Sequence, residues 1–61
     1  MTNKQFDRFV SRCRRDGRAT YHCEQILLEL FRLPNGYDLR ANGIRVGIYA
    51  ESESFRQMLT C

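Results

Sequence analysis

Residues 20–36 read TYHCEQILLELFRLPNG, and the way this stretch folds decides what the rest of the chain packs against. Cys23, Ile26, Leu27, Leu30, Phe31 and Leu33 recur at the three- and four-residue spacing of one helix face. Thr20 can supply the N-cap, and Pro34-Asn35-Gly36 ends the run with residues suited to a turn. The spacing predicts a helix over 21–32 whose broad apolar face centres the core. Tyr21 and Leu28 fall off that face and form a second, narrower patch. Glu29 can pair with Arg32 or Gln25 along the polar side.

Upstream, Phe6, Phe9, Val10 and Cys13 stand at i, i+3, i+4 and i+7. This pattern predicts an amphipathic helix from about Lys4 to Arg15, capped by Thr2 or Asn3 and stopped at Gly17 in a left-handed conformation. Opposite the apolar stripe lie Lys4, Arg8, Arg12 and Arg15, with Arg14 and Arg18 nearby. Asp7 and Asp16 can offset part of this charge.

Downstream, residues 37–49 read YDLRANGIRVGIY. Asn42-Gly43 is a strong two-residue hairpin signal, because both central residues of a type I′ turn need positive φ. Folding about it pairs Ala41 with Ile44, Arg40 with Arg45, Leu39 with Val46, Asp38 with Gly47, and Tyr37 with Ile48. Alternation then puts Tyr37, Leu39, Ala41, Ile44, Val46 and Ile48 on one face. Gly47 marks a bulge or a close approach by another backbone. The last segment, Ser52 to about Thr60, reads as a short helix with Phe55, Met58 and Leu59 on its apolar side. Ser52 or Ser54 can cap it, Ser54 with Gln57 fitting a capping box. The expected fold is therefore α+β, one small domain spanning 1–61 in the order α-α-β-β-α: two helices and a β-hairpin with a short C-terminal helix.

A chain of 61 residues buries only about 60% of its unfolded surface, and chains of this size often gain burial by dimerising or docking. With 43% hydrophobic residues it is composed like a globular protein, not a disordered one. No apolar run approaches the roughly 20 residues that span a bilayer, and the polar start Met1-Thr2-Asn3-Lys4-Gln5 lacks the pattern of a signal peptide. Three unpaired cysteines, Cys13, Cys23 and Cys61, suit free thiols in a reducing compartment, so the expected location is the cytoplasm. Cys61 is read as open to oxidation between molecules. The net charge of +3 comes almost wholly from arginine, the residue favoured for bidentate contacts to carboxylate and phosphate.

Catalysis and metal binding find little support. The adjacent pair His22-Cys23 diverges on a helix, ruling out a Cys-His dyad, and no zinc knuckle or glycine-rich phosphate loop is present. No cofactor is expected. Binding remains, with Lys4, Arg8, Arg12, Arg15, Arg40, Arg45, Tyr21 and Leu28 as candidate contacts. Arg40 facing Arg45 is destabilising by itself, by up to about 1 kcal/mol, unless Asp38 neutralises the pair or an anionic partner completes it. The first expectation is a non-enzymatic regulator or inhibitor that docks on a larger protein, an occupation common among small proteins of phages and mobile elements. The second is a nucleic-acid-binding accessory or transcriptional regulator using the α-helical arginine stripe with Arg40 and Arg45. Stacking aromatics are not interleaved with the arginines, which weighs against the second. The hairpin edge also offers a route to a homodimer.

Overall fold

The computed structural model describes residues 1–60; Cys61, with the oxidation expected of it, lies outside them. The order is α1 (Asn3–Asp16), β1 (Arg18–Cys23), β2 (Ile26–Leu33), β3 (Gly36–Ala41), β4 (Ile44–Tyr49) and α2 (Glu53–Leu59). The four strands form one antiparallel sheet in sequence order, with β1 and β4 at its edges. The class is α+β as expected, but the helix over 21–32 does not exist. Its residues make the second half of β1 and nearly all of β2, so the sheet has four strands where two were expected.

α1 follows the rules read from its sequence. The Thr2 hydroxyl accepts from the Gln5 amide and the Gln5 side chain accepts from the Thr2 amide, a complete capping box. Gly17 stops the helix at φ 87°, its amide donating to the Cys13 carbonyl at 2.8 Å. Phe6, Phe9, Val10 and Cys13 are all buried. They pack on one sheet face with Ala19, Leu30, Tyr37, Leu39 and Phe55.

The β1–β2 turn is Glu24-Gln25, and Glu24 takes φ 54° without being glycine or asparagine. A left-handed residue with a Cβ costs about 1–2 kcal/mol, and glycine avoids that at some cost in chain entropy. Glu24→Gly is therefore expected to raise stability by up to about 1 kcal/mol, seen as a melting temperature higher by several degrees. An unchanged or lower melting temperature would show the turn to be unstrained.

At the other hairpin, Asn42 and Gly43 adopt φ 52° and 83°, the expected type I′ geometry. Asn42 also locks this turn to β2: its amide donates to the Leu27 carbonyl, and its Oδ1 accepts from the Leu27 amide, each at 2.8 Å. Arg40 pairs with Arg45 as expected, but the register then slips, so Leu39 meets Gly47, Asp38 meets Ile48, and Tyr37 meets Tyr49. The extra residue is a β-bulge in β4. It turns Val46 and Ile48 away from the core and brings Tyr49 toward it. A Cβ on Gly47 would lie 2.9 Å from the Tyr49 hydroxyl, so the close approach expected there is made by a side chain.

α2 is held by Phe55, its one buried residue. Ser52 occupies the cap position without a side-chain hydrogen bond, and Ser54 lies inside the helix, so no capping box forms. Arg56 clamps α2 to α1, donating to Glu53 at 2.7 Å, Asp7 at 2.8 Å and Asn3 at 3.1 Å, with its guanidinium 4.6 Å from the Phe6 ring centre.

Candidate docking surface

Both helices pack on the same face of the sheet, and the opposite face has no cover. β2 explains why this is unusual. Leu28 and Leu30 point to the core, while Leu27, Phe31 and Leu33 alternate onto the open side. A strand apolar on both faces is the signature of one buried on both faces. The β4 bulge adds Val46 and Ile48, which are 42% and 58% exposed; Leu27, nearer the Asn42 turn, is 38% exposed. The open face thus carries apolar side chains, Phe31 and Leu33 half-buried among them, interspersed with Arg18, Glu29, Arg40 and Arg45.

At its centre sits Asp38, only 4% exposed although no element covers it. Phe31 and Ile48 flank it on the neighbouring strands, and two arginines lie over it. Arg45 donates through Nε to Oδ1 at 3.2 Å and through Nη2 to Oδ2 at 3.3 Å. Arg40 donates from Nη2 and Nε to Oδ2 at 3.1 and 3.4 Å, and its guanidinium lies 5.1 Å from the Phe31 ring centre. The two like charges thus face each other because one carboxylate holds both. Their Nη1 groups make no hydrogen bond among the described residues, and the arginine side chains remain 39% and 56% exposed. Asp38 orients two guanidiniums and leaves donors over.

Burial pushes the Asp38 carboxyl up, but the hydrogen bonds and charges of Arg45 and Arg40 outweigh it and hold the group below the usual carboxylate range. A carboxyl with a depressed folded pKa stabilises the fold above its unfolded value, near 3.9, and loses that contribution as pH falls through the folded value. Asp38→Ala should therefore cost about 1–3 kcal/mol at neutral pH, since it removes a buried acceptor and leaves two facing cations. Melting curves of both proteins from pH 7 to pH 2 check this. The gap should narrow below about pH 4; a gap constant across that range would mean the ion pairs contribute nothing.

The remaining candidate residues are placed elsewhere. Tyr21 and Leu28 are direct cross-strand partners on the core side, half-buried against the cluster, with Tyr21 edge-on to Phe9 at 6.2 Å. The helix on which they would form a separate patch is a pair of strands, so they sit side by side on the core face, each partly exposed. Lys4, Arg8, Arg12 and Arg15 line the exposed side of α1, on the far side of the sheet from Arg40 and Arg45. The two sets cannot form a single basic surface. Arg14, read near the stripe, instead donates to the Tyr37 hydroxyl at 2.8 Å.

His22 and Cys23 alternate across β1 rather than diverging on a helix. Cys13 is fully buried, its thiol donating to the Leu30 carbonyl at 3.4 Å. Burial raises its pKa, against the opposing charges of Arg32 and Arg14, so it behaves as a small apolar side chain. Among the described residues, no three or more His, Cys, Asp or Glu side chains group to hold a metal ion. No described helix is long and apolar enough to cross a membrane.

Comparison of the chain with protein-family models, with curated proteins and with solved structures finds no match.

Proposed function

We propose that this is a non-catalytic regulator or inhibitor that docks on a larger protein in the cytoplasm through the open face of its sheet. The observation that carries the reading is the two-sided apolar character of β2, of which only one side is covered. Several large apolar side chains left exposed on one face of a small domain point to an interaction site. Arginines flanking an aromatic ring fit the composition of interface centres.

Magnitudes specify the partner further. Fully burying one large apolar side chain gains about 1.5–3 kcal/mol, so completing the burial of five already half-covered ones yields roughly 3–6 kcal/mol. Association costs about 4–15 kcal/mol, so apolar cover alone binds weakly and polar contacts must add to it. Arg40 and Arg45 supply these with little loss of side-chain freedom, since Asp38 already fixes them. Arg18, Arg40 and Arg45 outnumber Glu29 and Asp38 on this face, so a second copy would set a positive excess against itself. The better complement is an apolar protein surface rimmed by carboxylates.

The test is site-specific photo-cross-linking in cells, with the cross-linker at position 46 or 48 and, as a control, at Ser11 on α1. One discrete protein adduct from positions 46 and 48, absent from position 11 and abolished by Arg40→Glu/Arg45→Glu, is expected. No adduct from the sheet face, or the same adduct from position 11, would sink the reading.

A further inference from the structure

The basic side of α1 is chemically separate from the docking face and behaves differently. Lys4, Arg8, Arg12 and Arg15 are all exposed and recur every three or four residues. With a rise of about 1.5 Å per residue they form a row some 16 Å long, a cation roughly every 6 Å. Of the two acids expected to quiet this row, one is drawn off. Asp7 is taken by Arg56 from α2 at 2.8 Å, and Asp16 pairs with Arg15, the last member of the row, at 3.1 Å. Lys4 and Arg8 have no salt bridge among the described residues, and the one contact of Arg12 is a long 3.4 Å approach to the Thr20 carbonyl. The fold thus draws one counter-charge, Asp7, away from the row, while Asp16 stays on its last member, Arg15.

That face also has shape. Arg8, Arg12 and Arg15 border an open basin of about 760 Å³ shared with Gln5, Asp7, Ser11 and Tyr21; Asp7 is the one carboxylate in this lining, and Arg56 holds it. Guanidinium, hydroxyl and amide donors together are the groups that contact phosphate oxygens. Closely spaced cations along one line suit a ligand whose charges also run along a line, and successive nucleic-acid phosphates do so. An acidic protein surface carries its charges scattered among other groups.

We infer that the outer face of α1 binds the phosphodiester backbone of nucleic acid, without base specificity and independently of the sheet face. The protein then has two working sides, separated by a body whose shortest extent is 20 Å. A target held on the sheet could be brought to nucleic acid held on the helix.

Fluorescence anisotropy with labelled 20-mer DNA, as duplex and as single strand, tests this between 50 and 200 mM salt. Three phosphate contacts, from Lys4, Arg8 and Arg12, predict a slope of log affinity against log salt near −2.7 for duplex and near −2.1 for single strand, with affinity for duplex falling about 40-fold over that range. Arg8→Gln/Arg12→Gln should flatten the duplex slope by about 1.8 and weaken binding about 10-fold or more at low salt. Both positions are exposed, and unchanged melting curves would show the variant to be folded. Val46→Ser/Ile48→Ser should bind DNA like the parent, so this inference can fail while the docking reading stands, and the reverse. Three results would overturn it: no binding at 50 mM salt, an equal loss from Arg40→Gln/Arg45→Gln, or displacement of DNA by polyglutamate at equal charge. The last would assign the row to an acidic protein instead.

Discussion

Gly36→Ala is expected to unfold a large share of the molecules at room temperature. Gly36 starts β3 at φ 155°, and a Cβ placed there would lie 2.1 Å from the Tyr49 carbonyl oxygen and 3.0 Å from the Ala50 Cα. Both obstacles are backbone, so no rotamer change relieves them; the end of β4 must move away. That displacement disturbs the Tyr37–Tyr49 pairing and the approach of Tyr49 to Phe55. Backbone strain and overpacking each cost about 1–3 kcal/mol, together roughly 2–6 kcal/mol. A domain of this length has about 3–9 kcal/mol in all. Gly17→Ala and Gly43→Ala are the controls, since both have positive φ with open space where the Cβ would go. Each should cost only about 1 kcal/mol. Urea titration of the three variants checks the ranking, and similar losses in all three would mean the contact with Tyr49 is not what fixes Gly36.

Phe55→Ala should have a comparable effect by a different route. The ring is fully buried and meets three others, Phe6 at 5.5 Å, Tyr37 at 5.9 Å and Tyr49 at 5.1 Å. Truncating a buried phenylalanine costs about 3–5 kcal/mol, and here the loss has a specific consequence. A seven-residue helix has no stability of its own, and Phe55 is its only buried anchor. The segment should detach before the sheet opens, so amide exchange should quicken first across 53–59. Phe55→Leu, which keeps most of the volume, should retain α2 with a loss nearer 1–2 kcal/mol. If amide protection in α2 survived the alanine change, the Arg56 clamp would be the true anchor.

Only part of this architecture was legible in the sequence. α1 could be read because its apolar residues fill one stripe and its caps are residues with a mechanism, Thr2 with Gln5 and then Gly17. The tip of the β3–β4 hairpin could be read because Asn42 and Gly43 tolerate positive φ. Residues 21–32 misled because an eight-residue strand apolar on both faces satisfies helical spacing as well as strand spacing. The turn that would have divided the segment, Glu24-Gln25, has neither glycine nor asparagine. The β4 bulge was signalled by Gly47 as one of two options, but a register drawn without it puts Val46 and Ile48 on the face of Tyr37 and Leu39. The Asp38 bridge was legible as a neutralising option, since it lies on the same side as both arginines. The open face was not, because it exists only once β2 is known to be a strand.

The meander order of the strands has a consequence for how the molecule forms. Each strand pairs with its sequence neighbour across a two-residue connection, so the sheet closes no long loop while it assembles. Topologies dominated by such short-range contacts fold in microseconds to milliseconds, far faster than sheets stitched from distant segments. For a small domain of modest stability, speed of return can matter as much as depth of the energy well. A molecule that opens is expected to be whole again within milliseconds, before its bare strand edges have met those of another copy.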